Sequence, residues 1–152
     1  MAVLEIIQEG HPVLRRKAQP VAKITKRFVK LAKDMTETMY AAKGVGLAAP
    51  QVNVSERLIV VDAGQGLVVL FNPEIAKTEG GVRDVEACLS IPNRSGYVTR
   101  AAQIVVKGLN EQGKKCRFEA SGYFARALQH EIDHLNGILF IDRLEEGDGE
   151  SR

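Results

Sequence analysis

Only two cysteines, Cys88 and Cys116, occur in 152 residues. Two thiols make no disulfide scaffold, and a chain of this length buries roughly two thirds of its unfolded surface without one. No apolar stretch approaches the ~18 to 20 residues of a membrane helix. The opening MAVLEIIQEG has no basic stretch ahead of its short apolar run. No secretory signal is therefore expected, and a cytoplasmic location is. An excess of one charge is also missing: 21 Lys plus Arg against 19 Asp plus Glu leave +2. That is too little to argue for DNA or an acidic membrane surface. No internal repeat or low-complexity tract is present. What remains is an ordinary globular balance, 45% apolar and 26% charged, at the length of one domain. A single domain is expected over residues 1–144, with a short, acidic, flexible tail over 145–152.

Between Ile24 and Ala42 the apolar residues fall at Ile24, Phe28, Leu31, Met35, Met39 and Ala42. These steps of three and four predict an amphipathic helix, with Gly44 as its stop. Before it, Ile7 to Val21 carries Pro12 and Pro20 and reads as an extended lead-in with one helical turn. Gly44 to Gln51, GVGLAAPQ, reads as a small, flexible, uncharged segment. Strands are expected over Arg57–Asp62, Leu67–Phe71 and Ile75–Thr78. Two more, Gln103–Lys107 and Lys115–Glu119, flank a hairpin turn at Asn110 to Gly113. Gly122 to Asn136 predicts a second helix, with Ser121 as N-cap and Gly137 as stop. Strand runs with helices at either end give an α+β class: small antiparallel sheets packed around a C-terminal helix, with an N-terminal amphipathic helix.

The chemistry concentrates on that last helix, in His130-Glu131-Ile132-Asp133-His134. At ~100° per residue the two histidines lie ~40° apart and can share one metal ion. A glutamate directly after the first histidine can serve as general base to water activated there. With Phe124 set at zero, Leu128, Ile132 and Leu135 fall within ~80° on one side, and Glu131 at ~340° beside them. A carboxylate turned toward a packed face is costly unless compensated, which argues against a solvated chance motif. Arg126 and Asp133, near ~180° to 200°, are expected to face water. A catalytic site needs a third protein ligand. His11, an acidic residue or a cysteine could supply it. Cys88, in the polar-flanked segment EACLS, is the attractive choice and need not lie in a regular element. Cys116, in a strand between Lys115 and Arg117, reads as a small buried hydrophobe.

Three segments in order, GVGLAAPQ, EACLS and HEIDH, resemble the peptide deformylases, as does the lead-in GHPVLRRKAQPV. HEIDH alone would fit a metalloprotease as well. The resemblance runs from about Ile7 to Leu144. It implies that Cys88, His130 and His134 hold one divalent metal ion, ferrous iron, which zinc, nickel or cobalt can replace. It implies that Glu131 is the catalytic acid and base, and that Gln51 and the Leu89 N–H hold the formyl oxygen. Gly44, Val45, Gly46, Glu86, Ala87 and Tyr123 then belong to the substrate site, with Val45 and Tyr123 lining the pocket for the first side chain. Glu86 and Arg100 are also expected to pair and brace the cysteine segment. The implied substrate is an N-formylmethionyl peptide, a nascent chain at the ribosome, with DNA and membranes not involved. Two features depart from the family: Ala87 stands where glycine usually precedes the cysteine, and EEGDGESR is acidic where some relatives carry a long basic ribosome-docking helix.

Overall fold

The computed structural model describes residues 2–145. The predicted first helix is α1, Lys26–Ala41, and the second is α2, Gly122–Leu135. The strands are β1 (Gly46–Ala48), β2 (Leu58–Val61), β3 (Val68–Glu79), β4 (Val82–Cys88), β5 (Ile91–Arg100), β6 (Gln103–Leu109) and β7 (Lys115–Ser121). Five of them form one antiparallel sheet in the order β1-β2-β3-β6-β7, while β4 and β5 form a separate hairpin.

β2 lies between the two helices. Ile59 and Val61 face α2, where they meet Leu128, Ile132 and Leu135 together with Leu70 and Val106. Leu58 and Val60 face α1 and its Phe28, Ala32, Met35 and Met39. A strand covered on both faces reads as an unbroken apolar run, which is what LIVV is. A third cluster, with Leu14, Ile91, Val98 and Phe140, joins the lead-in to the β4–β5 hairpin.

Several expectations are corrected. GVGLAAPQ is not flexible: it forms β1 and a 3₁₀ turn, Ala49–Val52, and Leu47 to Val52 are all buried. The left-handed residue after α1 is Lys43 (φ 58°), not Gly44. The two strands expected around Asn72-Pro73 are one strand. Asn72 takes a left-handed conformation (φ 51°) at a register shift, and its side-chain amide holds Val21 N and O at 2.8 and 2.9 Å. A bulge accommodates a proline that a regular ladder would not. The hairpin β4–β5 was not foreseen, so Cys88 does lie in a regular element, at the end of β4. Cys116 is half-buried against the core and donates to Gly108 O at 3.5 Å. Glu145, expected to open the tail, bridges Tyr97 instead, with its N–H on Tyr97 O at 2.9 Å and its carboxylate on Arg83 at 3.0 Å. The rest of the expected tail lies outside the described residues.

Gly137 stops α2 as expected, in a left-handed conformation (φ 74°), and an added Cβ would come within 2.5 Å of Arg15 O. Gly122 is also left-handed (φ 60°) but has open space around it. Gly137→Ala should therefore cost about 2–4 kcal/mol, from backbone strain plus overlap, roughly 4–16 °C in Tm. Gly122→Ala should cost only the strain. Thermal unfolding of both variants checks this, and equal losses would remove the role given to the Arg15 contact.

Candidate active site

α2 brings His130 and His134 together, with ring centroids 5.1 Å apart. The hairpin supplies Cys88, whose Sγ is 3.3 Å from His134 Nε2. One ligand atom from each of the three residues lies within 4.8 Å of the others. His130 Nδ1 is 2.9 Å from Glu86 Oε1, an arrangement that leaves Nε2 as the free donor. One sulfur and two imidazoles suit a divalent transition-metal ion, so this group could hold one. His11, the alternative third ligand, is exposed and accepts from Val13 N at 3.1 Å, capping the 3₁₀ turn Pro12–Arg15.

Glu131 sits on the inward side of α2 and is 4% exposed. Among the described residues its Oε1 has no hydrogen-bond partner. Burial pushes its pKa up to about 7, against the pull of a charge on His130. Gly46 makes the space for this carboxylate: a Cβ there would lie 2.6 Å from Glu131 Oε2. Burial opposes a charge on His130 too, but Cys88 and Glu86 outweigh it and raise its pKa to about 10. His134 is shifted the other way, well below its ordinary value, by burial and then by His130.

Gln51, in the 3₁₀ turn after β1, is fixed at both ends of its amide. Oε1 accepts from Ala48 N at 2.9 Å, and Nε2 donates to Ser90 Oγ at 3.1 Å and points at Cys88 Sγ, 3.7 Å away. Leu89 and Ser90 make the tight turn after Cys88, and Gly44 lies against the Leu89 side chain. Gly44, Gln51, Cys88 and Leu89 line a cleft of about 370 Å³ together with Val45, Gly46, Ala87 and the 56% exposed Tyr123. One wall is the free edge of β1, whose strand partner among the described residues is β2 alone. Asp62 N donates to Val45 O at 2.8 Å. By strand alternation the Gly46 N–H and C=O therefore face away from β2, on the side where Ala48 N meets Gln51.

Glu86 does not join this cleft. It is buried behind the ligands, where Arg100 grips it with two hydrogen bonds, Nε at 2.7 Å and Nη2 at 2.9 Å. Arg126 Nη1 adds a third at 2.6 Å. Burial works to raise its pKa, but Arg100 and His130 win and hold it well below the carboxylate range. The expected Glu86–Arg100 pair is thus present and belongs to a larger cluster. Asp133 accepts from Arg100 Nη1 at 2.6 Å and from Arg143 at 2.6 and 3.1 Å. Arg126 and Asp133, expected in water, are 5% and 9% exposed, because the β4–β5 hairpin and the 3₁₀ turn Phe140–Arg143 cover that side of α2. Sequence reading missed their role; the signal available was two opposite charges on the helix carrying the histidines.

A Cys–His–His group with a buried glutamate beside it is the kind of site that metal-dependent hydrolases use. The polypeptide deformylase family profile matches residues 3–149. The chain belongs to the peptide deformylase family. It is 60% identical over 146 residues to a peptide deformylase of Halothermothrix orenii, covering 95% of each chain. The crystal structure of peptide deformylase from Thermotoga maritima superposes with a TM-score of 0.94 at 44% identity, over 96% of this chain and 100% of that one. A peptide deformylase from Synechococcus elongatus in complex with actinonin gives 0.92 at 41%, over 96% and 81%.

Glu86→Gln keeps the shape and leaves two buried arginines short of a charge, so it should cost ~3–5 kcal/mol at pH 7. The folded pKa of Glu86 lies below its ordinary 4.5. Its stabilisation is therefore complete above about that pH and is lost as pH falls through the folded value. In denaturant melts of wild type and variant from pH 7 to pH 3, the difference should stay constant down to about pH 4.5 and narrow below it. A difference that does not narrow there would mean the charge is not what stabilises.

Proposed function

We propose that this chain removes the formyl group from N-formylmethionyl nascent peptides in the cytoplasm, giving formate and a free N-terminal amine. Peptide deformylase is the activity its family carries, and formylated N-termini exist where chains are being made. The observation that carries the residue assignment is convergence: Cys88, His130, Glu131 and Gln51 line one cleft, His134 lies directly behind with its Nε2 3.3 Å from Cys88 Sγ, and Glu131 Oε1 has no hydrogen-bond partner among the described residues.

Cys88, His130 and His134 would hold one divalent ion, ferrous iron, with zinc, nickel or cobalt able to replace it. When bound, the ion supplies Lewis-acid polarisation and makes water a better acid. Glu131, buried beside the ligands on the cleft with an oxygen that has no hydrogen-bond partner among the described residues, is suited to take a proton from the attacking water and to pass it to the leaving amine. Gln51 Nε2 and the Leu89 N–H would hold the oxygen as negative charge develops on it. The free Gly46 N–H and C=O can pair with an extended substrate added along β1. Val45 and Tyr123 would border the methionine pocket. Ala87 puts a methyl group on the facing wall of the groove. A formyl group is small enough to enter a cleft that a bulkier acyl group cannot, through clash.

Two measurements test this. Formate should be released from formyl-Met-Ala-Ser, while acetyl-Met-Ala-Ser should be cut at least ~10²-fold more slowly; comparable rates would make this a general acyl amidohydrolase. Glu131→Gln should keep its ion and lose ~10²- to 10⁴-fold in kcat, whereas Cys88→Ala should lose or loosen the ion. Elemental analysis alongside kcat separates the two. Metal loss in Glu131→Gln would make that residue structural, and full metal in active Cys88→Ala would overturn the ligand set.

A further inference from the structure

The mouth of the cleft carries two cations that the chemistry above does not use. Lys43 and Arg94 line it, both are exposed, and among the described residues that line it Glu131, in its depth, is the sole carboxylate. Among the described residues, neither cation has a hydrogen bond or ion pair.

Their placement is built into the backbone on both walls. On β4, Ala87 and Cys88 are adjacent, yet their partners on β5 are Ser95 and Ile91. Pro92, Asn93 and Arg94 are therefore extra residues, bulged out of the hairpin directly beside the cysteine, and Asn93 within the bulge is left-handed (φ 67°). Bulges re-aim side chains beside active sites. On the opposite wall Lys43 is itself left-handed (φ 58°), a conformation that costs a non-glycine residue roughly 1–2 kcal/mol. It lies three residues before Gly46, the residue against Glu131. Three residues of chain span at most roughly 11 Å, the reach of an extended peptide from its first residue to about its fourth.

We propose that Lys43 and Arg94 form a subsite selecting an acidic side chain at positions two to four of the substrate, just after the formyl-methionine. This rests on the deformylase reading above. An extended peptide entering between the β1 edge and the hairpin passes between the two cations. Both are solvated, so each contributes modestly and is screened by salt. Contact remote from the reacting carbon tightens ground state and transition state alike, so the preference appears in KM rather than kcat.

The test uses the metal-loaded enzyme and C-terminally amidated peptides formyl-Met-Xaa-Xaa-Ala, with Xaa as Glu, Gln or Lys. Amidation removes the terminal carboxylate, and one free-acid Gln peptide shows what that group adds. We expect kcat/KM in the order Glu, Gln, Lys, with a step of roughly 2- to 5-fold for each cation engaged. The spread should sit in KM and shrink between 20 and 500 mM salt. In Lys43→Asn with Arg94→Gln the Glu-to-Lys ratio should fall close to one. Asparagine is chosen because it tolerates the left-handed backbone. Formate release that is equal across the three peptides overturns the subsite while leaving the deformylase reading intact. A preference that survives in the double variant overturns the assignment to these two residues. No formate from any peptide removes the deformylase reading and this inference with it.

Discussion

The Glu86 carboxylate is the point on which the architecture turns. It comes from β4, and it is held by Arg100 from β5, Arg126 from α2 and His130 from α2. The β4–β5 hairpin shares no ladder with the main sheet. What fixes it over the helix is this cluster, extended by Asp133 between Arg100 and Arg143, together with the small apolar cluster beneath it. Buried ion pairs add little net stability against a well-packed apolar alternative, but breaking one is costly. Their directional bonds favour one seating of the hairpin over neighbouring ones that apolar packing alone would tolerate. Seating matters here because Cys88 lies two residues beyond Glu86 on the same strand. The bond that docks the strand therefore also sets where its sulfur meets the two imidazoles.

The same seam explains why small residues cluster in the first motif. β1 must approach α2 closely enough for its free edge to face the cleft, and Glu131 occupies the space between them. With any side chain at position 46, the carboxylate or the strand would have to move. Gln51 then links the seam to the hairpin, with one end of its amide on Ala48 and the other on Ser90. Three elements from distant parts of the chain thus meet at one carboxylate and one sulfur.

Much of this was legible in the sequence, and the failures share a cause. Helical periodicity gave both helices within a residue or two, and the wheel put Glu131 beside the apolar arc, where it is buried. The wheel failed for Arg126 and Asp133 because it describes one helix facing one core. Here a second layer, the hairpin, covers the far side, and charges there are satisfied by opposite charges and not by water. That hairpin was itself hard to read: VRDVEAC interleaves Arg83, Asp84 and Glu86 with the exposed Val82 and Val85 without a period of two, and a long bulge follows the turn. GVGLAAPQ looked flexible because small uncharged residues are common to loops and to tightly packed backbone. Only the neighbour against which they pack separates the two cases.

Two buried glutamates make the last step. Glu86 and Glu131 are 6% and 4% exposed, and desolvation alone would raise the pKa of each. Glu86 accepts from two guanidinium groups and an imidazole, and it is driven well below the carboxylate range. Glu131 has an oxygen with no partner among the described residues, and burial pushes its pKa up to about 7. A charge that is fully bonded has nothing left to give to a reaction, but it can orient a ligand. A carboxylate without such partners, on a residue that lines the cleft, is free to accept and return a proton. Environments that push two identical side chains in opposite directions divide their roles, and the division follows from which face of α2 the hairpin covers.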